Sequence, residues 1–233
     1  MPFVRKKTLT LRNYDGLETK PQKAKRKRHP LAPETPGRFL ICGATGSGKT
    51  NVVLNLIYDL LPWTSLYVYA KDLTEPKYEE LRLACEAAQA KEPFHASFEC
   101  DPEDIVSPDE LDPNEQNLII FDDFCLDKAA MPAISELFIR SRKKNATVIF
   151  ITQSYYDTPK IIRLQCTCFI LFAPNDEREM SELHKNHNCG MTRLDFVKMF
   201  HEATAEPYSF LCIDKQSTNP IRKKFDYIFK ENT

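Results

Sequence analysis

The sequence predicts an α/β fold: a mostly parallel β-sheet with helices on both faces, followed by a C-terminal antiparallel hairpin. Three observations predict it. From residue 38 onward, short apolar runs alternate with segments of helical periodicity. The first of these runs leads straight into a glycine-rich loop and then a helix. Near the end, two strand-like runs bracket a turn-rich stretch.

Residues 38–42 form the first short apolar run, a buried strand. The loop Gly43-Ala44-Thr45-Gly46-Ser47-Gly48-Lys49-Thr50 follows it. Val52, Val53, Leu56, Ile57, Leu60 and Leu61 then recur at helical spacing until Pro62 stops the helix. Residues 65–70 read as a second strand and 75–90 as a helix, with Leu81, Leu83, Ala84, Ala87 and Ala88 on its inner side. Residues 99–117 are acidic and broken by proline, as in a solvated loop. Residues 118–121 are a third strand, 132–143 a helix, 147–152 a fourth strand and 168–172 a fifth. Residues 208–213 and 224–229 bracket the turn-rich stretch 214–220 as a terminal hairpin. The sequence has no internal repeat.

A chain of 233 residues holds one sizeable core, or one domain plus a tail. Its net charge of −1 hides an asymmetry. Residues 1–38 carry eleven Lys and Arg against Asp15, Glu18 and Glu34, a surplus of +8 that leaves the rest at −9. Residues 1–36, with five prolines and few aliphatics, are expected to be a basic, disordered arm, and residues 37–233 one folded domain. In the arm, Lys23, Lys25, Arg26, Lys27 and Arg28 form a cluster of the kind that binds nucleic acid or directs nuclear import. A solvated tail with neither role is the plain alternative. The eight cysteines lack a paired secreted framework, which points to a reduced, intracellular setting. No apolar stretch approaches the ~20 residues that span a bilayer. The N-terminus shows no signal-peptide apolar region.

The loop Gly43–Thr50 is a full match to G-x-x-x-x-G-K-[ST], set between a strand and a helix as that motif requires. Its glycines allow a tight turn that aims backbone N–H groups inward, and the helix start adds partial positive charge. Such a concavity suits the polyphosphate of ATP. Lys49 can reach the β- and γ-phosphates, and the Thr50 hydroxyl can ligate Mg²⁺. The third strand ends in Asp122 and Asp123. Asp122 stands where a carboxylate holds the metal through water, and Asp123 where one orients or deprotonates the attacking water. Gln153, at the tip of the fourth strand, would lie between these two parts of the site. Its amide both donates and accepts hydrogen bonds toward a γ-phosphate or lytic water. Arg140 and Arg142 end the helix before that strand, roughly 200° apart, so at most one points toward a neighbouring subunit's phosphate. The other reading of both arginines is a basic helix end that offsets the macrodipole.

Together GATGSGKT, LIIFDD and RSRKKNATVIFITQ resemble the genome-packaging ATPases of poxviruses, other large DNA viruses, virophages and Polinton-type elements. These belong to the FtsK–HerA superfamily of DNA pumps. The resemblance spans residues 38–229. It implies a three-layer α/β/α P-loop fold of the FtsK–HerA (ASCE) type, Mg²⁺-dependent ATP hydrolysis, and a ring of five or six subunits around double-stranded DNA. It also implies a capsid partner, a place in the nucleus, a cytoplasmic viral factory or the virion, and the role of trans-acting finger for Arg142 rather than Arg140.

Cys166, Cys168, His184, His187 and Cys189 invite a zinc reading, but their spacing fits no standard module. A core strand followed by an ordinary helix explains them better. Tyr155 and Tyr156 could stack on nucleic acid or adenine, although aromatics after a core strand more often pack on the sheet. Lys160 and Arg163 face either a DNA channel or bulk solvent. Among other functions, a helicase-like or plasmid-transfer pump shares the same chemistry. A GTP switch would want an N-K-x-D segment, which the sequence lacks. A small-molecule kinase would want an acceptor pocket and an arginine lid, neither of which leaves a signature. A non-enzymatic capsid or DNA-binding protein does not account for intact Lys49, Thr50, Asp122 and Asp123.

Overall fold

The central strands are apolar at nearly every position, and the chain covers them on both faces. The computed structural model describes residues 3–5, 27–174 and 176–229. Its strands are β1 (Phe3–Arg5), β2 (Arg38–Cys42), β3 (Ser65–Ala70), β4 (His95–Glu99), β5 (Asn117–Asp122), β6 (Ala146–Thr152), β7 (Cys168–Leu171), β8 (Leu211–Asp214), β9 (Ile221–Lys223) and β10 (Tyr227–Phe229). The helices are α1 (Lys49–Asn55), α2 (Pro76–Gln89), α3 (Met131–Arg140), α4 (Lys160–Gln165), α5 (Glu177–His187) and α6 (Arg193–Thr204). One sheet runs β1-β10-β9-β8-β7-β2-β6-β5-β3-β4. From β7 to β4 every pairing is parallel, and from β7 back to β1 every pairing is antiparallel.

Side chains alternate across this sheet and sort the core into two layers. Phe39 and Ile41 of β2 face Val53 of α1 and Leu81 of α2. Leu40 and Cys42 face the other way, toward Phe138 of α3, Leu183 of α5 and Phe200 of α6. The result is the three-layer α/β/α P-loop fold. The apolar run 118–121 of β5 is fully buried, as a strand covered on both faces must be.

Several boundaries differ from the sequence reading, each for a physical reason. In α2 the buried stripe is Tyr78, Leu81 and Cys85, spaced three and four apart, whereas Leu83 is 52% exposed and Ala87 also faces out. β4 was missed because it is a half-exposed edge strand with one aliphatic-sized alternation, H-A-S-F-E. The terminal hairpin is a three-strand meander. β9 pairs with β8, and Lys224, expected in a strand, sits in the turn before β10 at φ 52°.

The folded body also starts earlier than residue 37. Residues 27–36, read from composition as arm, lie on it. Ala32 is buried, and the His29 N–H donates to Leu60 O. A buried ion pair anchors this segment. Arg222 bonds Asp214 at 3.0 Å and also donates to Leu31 O, while the Glu34 N–H donates to Asp214 Oδ2. β1 pairs with β10 through its backbone. The expected disorder of residues 1–2 and 6–26 lies outside the described residues.

Candidate active site

Strand order places the site. β6 lies between β2, which carries the phosphate loop, and β5, which carries the acids. All three run parallel, so their C-terminal tips meet at one edge. Register sets Cys42 beside Thr152, and Asp122 beside Ile151. Asp122, Asp123 and Gln153 therefore converge on the loop across a single strand's width. They share a cavity of about 660 Å³ with Thr45, Lys49 and Thr50.

The loop itself is built from positions that only glycine suits. Gly46 and Gly48 have φ of 77° and 103°. At Gly43 an added Cβ would lie 2.6 Å from Phe172 Cβ. Lys49 Nζ donates to Gly43 O and Ala44 O at 2.7 and 2.9 Å, which fixes the ammonium over the loop. The Thr45 hydroxyl donates to Gln153 Oε1 at 3.3 Å, a direct link between the loop and the β6 tip. Burial pulls the Lys49 pKa below its usual value, against the opposing pull of Asp122 and its neighbours.

Asp122 is the half-buried acid. Burial raises its pKa, as do Glu75 and Asp123, while a hydrogen bond from the Tyr78 hydroxyl and the charge of Lys49 lower it. Asp123 is exposed, and its φ of 62° turns the chain sharply away from the strand, a geometry aspartate tolerates. Lys71 then pins the following loop. It pairs with Asp127 at 2.5 Å and lies 4.4 Å over the Phe124 ring.

Asp122 and Thr50 fit Mg²⁺ as part of its ligand set. Crowding of Asp122 by Glu75 and Asp123 is the electrostatic setting that a divalent cation relieves. Magnesium commonly takes only one or two protein ligands, with phosphates and waters supplying the rest. Among the described residues, no cluster of three or more His, Cys, Asp or Glu could hold a metal by itself. Of the cysteines and histidines that invite a zinc reading, Cys166, Cys168 and His187 are otherwise engaged. Cys168 lies 3.8 Å from Cys212, Cys166 donates to Ile162 O, and His187, its pKa pushed down to about 3 by burial, shares a hydrogen bond with the Tyr155 hydroxyl.

The arginines fall at the other end of the sheet. Arg142 sits in the 3₁₀ turn Ser141–Lys144 that enters β6, whereas Gln153 leaves it. β6 has seven residues, so at ~3.3 Å each Arg142 lies ~20 Å from its own phosphate loop. Arg142 is exposed, with no hydrogen bond or ion pair among the described residues. Arg140 is paired with Glu136 and Asp109. Of the basic cluster, Arg28 is bound to Glu34 and to Ala32 O, and Lys27 is exposed. Lys23, Lys25 and Arg26 lie outside the described residues. Tyr155 is core, Tyr156 lies under Arg178, and Arg163 bonds Thr158 O.

Sequence reading missed Glu75, Tyr78, Lys71 and Tyr208, all of which line the cavity. Tyr78 carries the only trace, as an aromatic at the start of a helix. The other three give none.

No protein-family model matches the chain, and no curated protein matches it. Solved structures do. The DNA-packaging ATPase B204 of Sulfolobus turreted icosahedral virus is 15% identical with a TM-score of 0.56, over 84% of this chain and 98% of that one. The genome packaging NTPase B204 of Sulfolobus turreted icosahedral virus 2, in complex with sulfate, is 15% identical with a TM-score of 0.49, over 80% and 95%. The cytoplasmic domain of the Type VII secretion ATPase EccC of Thermomonospora curvata is 11% identical with a TM-score of 0.45, over 84% of this chain and 24% of that one. The first of these likenesses shows that the two chains share a fold, the three-layer α/β/α P-loop fold described above.

Proposed function

We propose that this chain is a Mg²⁺-dependent ATPase that moves double-stranded DNA, a packaging motor of the kind found in large DNA viruses. One observation carries the reading: an intact phosphate loop with Asp122, Asp123 and Gln153 brought to it across β6. Lys49 and the loop N–H groups bind the β- and γ-phosphates. Thr50 and Asp122 would hold Mg²⁺, which would supply positive charge toward the transferred phosphoryl group. Asp123 takes the proton of the attacking water, and Gln153 orients that water and senses the γ-phosphate through its bond to Thr45.

Arg142 supplies positive charge to the site of the next subunit in a ring, because its own site is out of reach. The likeness to B204, a protein described as a DNA-packaging ATPase, supports the link to DNA and capsid filling. Lys23, Lys25, Arg26 and Lys27 add a charge-only contact to the DNA backbone, consistent with the +8 surplus of residues 1–38.

The test is ATPase rate with and without duplex DNA, across protein and salt concentration. The expected result is a rate that rises with DNA and with protein concentration. Gln at those four basic positions lowers the slope of log DNA affinity against log salt by up to about 0.9 per lost phosphate contact. A rate indifferent to DNA at every concentration would reduce the reading to a P-loop ATPase with another task.

A further inference from the structure

Tyr208 stands out among the exposed apolar residues. It is 68% exposed, yet it lines the same cavity as Lys49 and Thr50. Its backbone has φ 58°. Pro207 and Tyr208 form the centre of a turn closed by Ser209 N–H to Glu206 O. Positive φ at the third position of such a turn ordinarily takes Gly or Asn, and a bulky aromatic there carries strain. The turn is nonetheless firmly held. Ser209 is buried and donates to Ala203 O, Phe210 is fully buried, and Glu206 pairs with Lys223 and Lys224. A strained residue held by its surroundings at the mouth of a cavity is one whose side chain is being aimed.

The direction of aim is set by topology. β2 has β6 on one side and β7 on the other. The acids and Gln153 lie on the β6 side. β8 runs antiparallel to β7 and begins beside its C-terminal end, Leu211 against Leu171. The turn before β8 therefore brings Tyr208 to the opposite flank of the loop. There the ring lies against Gly48, where an added Cβ would be 3.2 Å from Tyr208 Cδ1. The site thus has carboxylates at one end, phosphate-binding groups in the middle and an exposed aromatic face at the other. A nucleoside triphosphate has the matching order: charged γ end, phosphate chain, flat base.

Building on the nucleotide-binding reading above, we infer that Tyr208 is the platform on which the nucleotide's base stacks, with Gly48 left bare to let ring and base approach the loop. Stacking is tolerant of base identity, since every base offers a π-face. The platform therefore sets affinity for nucleotides over bare polyphosphate rather than for one base over another.

Binding of MgATP and of magnesium tripolyphosphate should be compared by calorimetry for wild type, Tyr208→Gly and Tyr208→Phe. Glycine suits the turn's φ, so the first variant keeps the backbone. Tyr208→Gly is expected to weaken ATP roughly 5- to 150-fold and to leave tripolyphosphate within about twofold. Tyr208→Phe should restore ATP binding. Unchanged ATP affinity in Tyr208→Gly overturns the inference. Equal weakening of both ligands also overturns it, because the ring would then only brace the loop. Either result leaves the phosphate loop's role standing. If wild type binds neither ligand, the nucleotide reading itself fails and takes the platform with it.

Discussion

The Tyr78 hydroxyl donates to Asp122 Oδ2 at 2.5 Å, joining the first turn of α2 to the tip of β5. Tyr78 is buried, so this bond works in a low-dielectric setting where it holds one carboxylate oxygen in place. The bond also opposes the burial that raises the Asp122 pKa. Tyr78→Phe should therefore raise that pKa further. The acid limb of the Mg²⁺-dependent ATPase profile should move to higher pH, with more Mg²⁺ needed for half-maximal rate. A variant that is slower at every pH with an unmoved limb would make Tyr78 a packing residue only.

Asp122 should cost the folded chain stability at neutral pH. Its folded-state pKa lies above the unfolded value. The stability it contributes is thus full below the unfolded pKa and lost as pH rises through the folded one. Asp122→Asn removes the ionised form while keeping an oxygen that accepts from Tyr78. Without nucleotide, its thermal midpoint should exceed that of wild type above neutral pH, and the gain should shrink on acidification. ATPase activity should fall at the same time, the trade expected of a functional site. A lower midpoint at all pH would contradict the assigned burial cost.

Under the proposed function, Arg142 acts on a neighbouring subunit's site. Arg142→Ala should bind ATP normally and hydrolyse it about 10³- to 10⁵-fold more slowly. Mixing it with Lys49→Ala should recover some activity, because the Lys49→Ala subunit still offers its arginine to an intact loop. The gain should grow with protein concentration. If co-assembled mixtures stay inactive while Arg140→Ala and Lys49→Ala mixtures recover, Arg140 is the finger, despite its pairing with Glu136 and Asp109.

The Asp214–Arg222 pair should be a stability centre. Arg222→Ala leaves a buried carboxylate without its cation and frees Leu31 O from its partner. The expected loss is about 3–5 kcal/mol, read by denaturant unfolding. Amide exchange should also quicken at residues 29–34, which the pair ties down. A loss below about 1 kcal/mol would place the pair among screened surface bridges.

The parts of this molecule legible in its sequence are those fixed by local chemistry. The loop needs glycines at fixed offsets, and buried parallel strands such as Leu118–Phe121 need unbroken apolar runs. Gln153 and Asp122 were legible as strand tips because parallel strands end together. What stayed hidden depends on distant contacts. β4 is an edge strand with polar faces and no apolar run. Tyr208 reaches Gly48 across 160 positions of sequence, and nothing near either residue announces the other. Residues 27–36 look like arm by composition. They are held by Asp214 and Arg222, whose pairing depends on the antiparallel register of β8 and β9.

The central claim is that ATP hydrolysis at this site moves the protein along duplex DNA. Displacement of a labelled third strand from a triplex on long duplex DNA measures this directly. The account predicts ATP- and Mg²⁺-dependent displacement by wild type, at a rate that follows hydrolysis, and none by Lys49→Ala or Asp123→Asn. Robust DNA-bound hydrolysis by wild type with no displacement above the Lys49→Ala background would contradict it.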